Sequence, residues 1–342
     1  GVVLLDKPEG ISSQTAVTIV KRAFDADKAG HTGTLDPMAT GLLPVCLGEA
    51  TKYSQDLLDA DKTYLATIKF GEKTSTGDAE GEVIEVKEAN FDVTDAYLLQ
   101  EKLAEVVLKF TGEIAQIPPM YSALKRDGKP LYEYARAGET LEREARMVTI
   151  HSLKWIDVSW PVAQLEVSCS KGTYVRTLAE DIGDFLGAGA HLIGLRRVKV
   201  GHLSLGHGVS LETVKNNHQE KNIKPEYLLP VDALVQDLNS LGLTNEEADR
   251  LRLGQRVPVS KAGSNEELMR IYRGTIESCN FLTYPNDTIC LSVTINNDVI
   301  DPKIFIISGS SFKLPLPICK YLGTQTRTLS LLIKHFPFFY HS

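Results

Sequence analysis

The chain has 342 residues, 43% of them hydrophobic, and a formal net charge of −7, which allows a sizeable core and two domains, at most three. The acidity is local: residues 1–119 hold 11 Lys and Arg against 20 Asp and Glu, whereas residues 120–202 hold 12 against 10, so charge neither demands nor excludes a nucleic-acid face. Five cysteines without a CxxC pair or a His/Cys cluster at metal spacing argue against a zinc ribbon or a disulfide framework, and no apolar run approaches the roughly 18 residues of a membrane span.

A reducing, cytoplasmic location is expected. The apolar opening Val2 to Leu5 meets Asp6-Lys7 too soon for a signal peptide, and without a Met the chain is expected to have lost a short leader. That run suits a buried strand, followed by the turn Asp6-Lys7-Pro8-Glu9-Gly10. Ser12 or Ser13 can cap a helix with Ala16, Val17, Val20 and Phe24 at helical spacing. The stretch Gly30-His31-Thr32-Gly33-Thr34-Leu35-Asp36-Pro37-Met38-Ala39-Thr40-Gly41 fits neither helix nor strand, because glycine relaxes the backbone and proline removes a donor; a shaped loop is predicted. Asp36 is its one carboxylate, and Pro37 biases the Asp36 backbone toward an extended form, which fixes the side chain's direction. Taken alone, an Asp-Pro pair is an ordinary surface turn.

Leu42 to Leu47 is apolar and Ala50 to Leu58 weakly helical. Lys62 to Phe70 alternates with Tyr64, Ala66, Ile68 and Phe70 on one face, which predicts a strand; a polar loop, Gly71 to Gly81, and a return strand, Val83 to Val86, follow. Thr94 is expected to cap an amphipathic helix whose stripe Leu99, Leu103, Val106, Val107 and Phe110 faces a core. Residues 116–138 interleave basic side chains and tyrosines after Pro118-Pro119, a composition that suits RNA contacts and a solvated loop equally well.

Strands are predicted at Val148 to Val158 and Val162 to Cys169, after which Ser170-Lys171-Gly172-Thr173 breaks the strand and caps a helix running to about Leu186. Arg176 lies in its first turn, where the helix dipole opposes positive charge, so an acidic partner is expected. His191 to Val200 and His202 to Leu205 read as strands, Ser210 to Leu234 as mixed helix, and the region around Asp237 to Leu241 as a linker. Residues 274–342 hold three of the five cysteines and six of the eleven phenylalanines with no consistent alternation.

Five stretches in order, Asp6 to Ser13, Gly30 to Pro44, Lys62-Thr63-Tyr64, Tyr121 to Lys125 and Ser168 to Leu178, closely resemble the bacterial TruB-type tRNA pseudouridine synthases, over about residues 1–256. The resemblance implies an α+β (mixed) pseudouridine-synthase fold, a largely antiparallel central sheet flanked by helices, over residues 1–236, and a small β-rich PUA-like region with a divergent tail over 237–342. It implies conversion of the T-loop uridine at tRNA position 55 to pseudouridine: the N1–C1′ bond breaks, the base turns over and C5 is joined instead. That chemistry needs no redox step and no external atom, so no cofactor and no metal is expected.

Carried over by motif, Asp36 is the nucleophile or base. Arg176 pairs with it and holds its carboxylate charged and fixed in direction. Tyr64 stacks on the target uracil and helps remove the C5 proton, and Leu195 walls the pocket. His31 inserts into the T-loop as the base is extruded, and Lys7 and Pro8 brace the loop. Tyr174, Lys125 and Asp78 are expected to support the site or contact RNA. The implied partner is the tRNA T-arm, with no membrane, no obligatory protein partner and a monomeric state. An RNA-guided synthase subunit and a non-catalytic tRNA-binding or folding module are the alternatives.

Overall fold

The computed structural model describes residues 1–220 and 225–253, position 255, and the stretches 257–258, 268–273, 292–296 and 299–301. The apolar opening forms β1 (Val2–Lys7), and Ser12 accepts the Thr15 N–H to cap α1 (Ser13–Ala23). β2 (Ala29–His31) and β3 (Thr40–Leu47) bracket the Asp-Pro loop. Next come α2 (Ser54–Leu58), the alternating β4 (Lys62–Phe70), the hairpin of β5 (Glu72–Thr74) and β6 (Val83–Val86), α3 (Ala96–Phe110) and β7 (Gly112–Gln116). A small hairpin, β8 (Lys125–Arg126) and β9 (Lys129–Pro130), leads into α4 (Leu131–Arg136). Then follow β10 (Arg146–Ser159), β11 (Val162–Cys169), α5 (Val175–Phe185), β12 (Ala190–Val200), β13 (Leu203–Ser204), β14 (Val209–Ser210) and α6 (Leu211–Gln219). Beyond them lie β15 (Asn239–Leu243), α7 (Asn245–Arg252), β16 (Val257–Pro258), β17 (Leu268–Arg273), β18 (Ser292–Asn296) and β19 (Val299–Asp301).

Three local expectations are corrected. Asp95, not Thr94, caps α3: its carboxylate accepts the Tyr97 and Leu98 N–H groups, while Thr94 is already turned back on Asp92. Tyr174 occupies the cap position of α5, and its N–H goes to the Gln116 side chain reaching across from β7; Ser170 is occupied instead in accepting the Thr149 N–H. The linker expected at 237–241 is partly strand, because β15 pairs with β17. Most of the aromatic stretch 274–342 lies outside the described residues.

The central sheet has ten strands in the order β14-β1-β3-β12-β4-β11-β10-β7, with β2 on β3 and β13 on β12. Its pairings are antiparallel except β1 with β14 and β3 with β12. Among the described residues of the C-terminal region, a separate five-stranded sheet runs β15-β17-β18-β19-β16. Three core clusters support the large sheet, and two of them meet at the Asp36 loop. In one, α3 and α5 bury Val106, Phe110, Leu178 and Ile182 against Ile68, Phe70, Ile150 and Leu165; in the other, α1 and α6 bury Val17, Val20 and Val214 against Val3, Leu5, Leu43 and Val45. Each such side chain contributes roughly 1.5–3 kcal/mol on leaving water. Met38 belongs to the first cluster, Leu35 and Ala39 to the second, and Tyr64 and Leu195 pack against both. The Asp36 loop therefore lies over the seam.

Candidate active site

The loop is held in shape mostly through its main chain, by side chains that lie outside it. The Ser13 hydroxyl, buried one residue inside α1, both donates to the Leu35 carbonyl at 2.9 Å and accepts the Leu35 N–H at 2.8 Å. Lys7, with no exposed surface, donates to the carbonyls of Pro8 and Ile11 at 2.8 Å and of Pro37 at 3.3 Å, and the Gly10 N–H adds a 2.9 Å bond to Pro37. Burial brings the Lys7 ammonium down to about 8, with Asp36 among the charges opposing that shift. Pro8 is exposed in the turn after Lys7. At the far end of the loop, Gly41 has φ +99° beside β12, where a Cβ would overlap the Arg197 carbonyl oxygen.

Asp36 meets Arg176 across this scaffold, with 3.1 Å between Oδ2 and Nη2. Arg176 is 5% exposed and spends its other donors on the Thr76 carbonyl at 2.9 Å and the Tyr121 carbonyl at 2.7 Å, with Asp78 Oδ2 3.6 Å from Nε. The acidic partner expected for a first-turn arginine is thus a pair of carboxylates. Asp78 is buried and held in turn by the Thr76 hydroxyl at 2.5 Å and the Glu80 N–H at 3.1 Å. Glu80 sits close enough to feel burial, Asp78 and Asp36, and its carboxyl is pushed up. Four segments far apart in sequence, around 36, 76–80, 121 and 176, converge on one guanidinium.

Tyr64 is half-buried on β4 opposite Val167 and Arg197. Burial pushes its phenol up, while Arg197 favours the ionised form and Asp36 opposes it. Leu195 lies two residues from Arg197 on β12, packed against both core clusters. Tyr174 lies two residues before Arg176; burial pushes its phenol up too, against the nearby Ser122 side chain and the charge of Arg146. His31 Nδ1 accepts the Gly33 N–H at 3.2 Å, and burial together with Arg197 holds the ring's affinity for a second proton below the usual histidine range. Lys125 is exposed on the β8–β9 hairpin, and no hydrogen bond or ion pair among the described residues joins it to Asp36.

Sequence reasoning passed over three members of this assembly. Arg197 is 1% exposed and donates to the Leu42 carbonyl at 2.8 Å and the Gly33 carbonyl at 2.9 Å. Lys62, also buried and brought down to about 8 by burial and Arg197, gives its protons to the carbonyls of Leu57, Leu58 and Ala60. Gln116 fixes the start of α5, one residue before the helix and two before Arg176. For Lys62 the usable signal was charge at a strand position that should face inward, in step with Tyr64 and Ala66. Among the described residues no group of three or more His, Cys, Asp or Glu is placed to hold a metal ion, and no helix is long and apolar enough to cross a membrane.

Residues 21–175 match the model of the TruB family pseudouridylate synthase N-terminal domain, and residues 176–236 that of the tRNA pseudouridylate synthase B C-terminal domain. The chain belongs to the TruB family. Among its TruB relatives, the tRNA pseudouridine synthase B of Cupriavidus metallidurans is 56% identical over 75% of this chain and 80% of its own. That of Burkholderia mallei is 47% identical over 91% of this chain and 98% of its own. The fold is shared with solved structures as well. An archaeal box H/ACA sRNP Nop10–Cbf5 complex aligns with a TM-score of 0.57 at 25% identity over 80% of this chain and 75% of that one. An H/ACA RNP bound to a substrate RNA aligns at 0.60 and 22% identity, over 88% and 85%. The TruB chain thus carries its paired carboxylate and guanidinium on a pseudouridine-synthase scaffold, with the family match running over residues 21–236.

Proposed function

We propose that this chain converts the T-loop uridine at tRNA position 55 to pseudouridine, with Asp36 as the group that acts on the sugar or base. The observation that carries the reading is the Asp36 carboxylate, fixed 3.1 Å from a buried arginine at the core seam beside Tyr64 and Leu195. Relatives named tRNA pseudouridine synthase B, 47–56% identical to this chain, support the tRNA substrate.

The target base lies inside a folded loop and must be turned out, at a cost of about a few kcal/mol for unstacking. His31, its Nδ1 already occupied by Gly33, presents the other face of its ring for insertion among the loop bases. Tyr64 stacks on the extruded uracil. Covalent attack by Asp36 and removal of a ribose proton by Asp36 both need an oxygen held in one direction, which Arg176 and the loop provide. The N1–C1′ bond then breaks, the base turns, and C5 is joined to C1′ in place of N1, the C5 proton passing toward Tyr64. Lys125 and the basic hairpin around it contact the RNA backbone, with Asp78 and Tyr174 bracing Arg176. Residues 237–342 serve as a PUA-like RNA-binding region, and the enzyme acts as a cytoplasmic monomer without a protein partner.

The H/ACA neighbours favour a second reading, an RNA-guided subunit. Incubating the purified chain alone with unmodified T-arm RNA and mapping pseudouridine by carbodiimide separates the two: product at position 55 supports the stand-alone reading, and product only with added guide RNA and proteins supports the other. Asp36→Asn is expected to bind the RNA and form no product. Undiminished product from that variant would overturn the role given to Asp36.

A further inference from the structure

Arg197 heads the largest fully buried side chains of the described residues; two of its hydrogen bonds go to backbone carbonyls, of Leu42 on β3 and Gly33 in the loop, and its side chain also reaches the Tyr64 phenol. In register it stands opposite Tyr64 on β4 and Gly41 on β3. Gly33 packs so closely that a Cβ there would lie 3.4 Å from Arg197 Nη1. One guanidinium therefore touches the residues before and after Asp36 and the strand that carries Tyr64. A buried cation with no ion-pair partner among the described residues is costly, and an apolar side chain of the same volume would fill the space without that cost. Something other than packing keeps it there.

We propose that Arg197 is a positioning residue for the pseudouridine-forming site, fixing both ends of the Asp36 loop relative to Tyr64 and setting positive charge against the Tyr64 phenol. The inference rests on the roles assigned above to Asp36 and Tyr64. The groups facing Tyr64 are Arg197 from β12, Cys169 from β11 and Asp36 from the loop. Those facing Arg197 are Lys7 on β1, His31 on β2, and Lys62 and Tyr64 on β4. Three of these four are basic, so Tyr64 is the acidic group on which the arginine's charge acts. Burial favours the neutral phenol and Arg197 the phenolate, the form able to take the C5 proton.

The test uses the full chain and its Arg197→Lys, Arg197→Met, Tyr64→Phe and Asp36→Ala variants. Single-turnover rates on unmodified T-arm RNA are followed from neutral to alkaline pH, with RNA affinity and circular dichroism measured alongside. Arg197→Lys is expected to stay folded, to bind RNA as the native chain does, and to turn over at least about tenfold more slowly. Its rise of rate with pH moves to higher pH, further still in Arg197→Met, and adding Arg197→Lys to Tyr64→Phe moves nothing more. A native rate and pH profile in Arg197→Lys, beside an inactive Asp36→Ala, overturns this inference alone. A rate loss that only tracks lost folding, or a slower rate with an unmoved profile, makes Arg197 purely structural and overturns it too. Activity in Asp36→Ala overturns instead the reading on which it rests.

Discussion

Replacing Arg176 with Met separates what that arginine does for the fold from what it does for the chemistry. The side chain is 5% exposed and serves two carbonyls and two carboxylates. Asp36 is 39% exposed on its side chain, so losing that partner costs the fold little. Asp78 is 3% exposed and becomes a buried charge without its counter-ion. Breaking a buried pair from one side costs about 3–5 kcal/mol; the Thr76 and Glu80 bonds that remain on Asp78 point to the lower end, and the orphaned Thr76 and Tyr121 carbonyls add about 1 kcal/mol each. A total near 5 kcal/mol lowers Tm by about 10–20 °C for a unit of this size. Adding Asp78→Asn keeps an acceptor for Thr76 and Glu80 and removes the charge, so the double variant should regain most of that loss. It should not regain turnover, because Asp36 still lacks its partner. Thermal unfolding and pseudouridine mapping on the same preparations provide the test. A single variant that melts like the native chain refutes the burial argument, and a double variant that turns over refutes the pairing argument.

Gly41→Ala should be among the most damaging single-carbon additions, costing about 3 kcal/mol or more by denaturant unfolding, since φ is +99° and the new Cβ overlaps Arg197. Gly10→Ala, at φ +82° with nothing within 4 Å, is the control and should cost only about 1 kcal/mol. Glu180, one turn beyond Arg176 on α5, is pushed up from 4.5 to about 7 by burial, helped by Asp181 and Asp184 and opposed by Lys73 and Arg176. The folded chain therefore holds this proton more tightly than the unfolded one, so its contribution to stability is present below pH 4.5 and is lost as pH rises to about 7. Glu180→Gln should melt with the native chain at acid pH and above it at pH 8; parallel Tm profiles across that range would contradict the assignment.

Local pattern carried much of this architecture. The alternation of Lys62 to Phe70 placed Tyr64 on the apolar face, and the electrostatics of a helix start called for an acid near Arg176. What stayed illegible depended on contacts between distant segments. Gln116 holds Tyr174, the residue at the start of α5, 58 positions away, which no local window contains. Arg197 was hidden by geometry: register shifts at Leu192/Gly194 and at Arg197/Lys199 break the two-residue period of β12. Counting along that strand cannot then say which of Arg196 and Arg197 turns inward. Ser12 and Ser13 were equivalent as caps on paper, and the structure divides them, one capping α1 and the other clasping Leu35. Lys7 and Lys62 are hydrophilic by type and buried by circumstance, each surrounded by carbonyls that only the folded chain assembles.

The position of the Asp36 loop over the seam bears on how it moves. Met38 is anchored in one core cluster and Leu35 and Ala39 in the other, with Ser13, Lys7 and Arg197 clamping the main chain between them. Releasing the loop means parting both clusters, so the hydrogen-bonded Leu35 and Ala39 amides should exchange only when the catalytic unit unfolds as a whole. Unlike an active-site lid, this segment has no cheap open state. In the reaction proposed above, the rearrangement that turns a nucleotide out must then fall mainly on the RNA and on the surface segments that meet it.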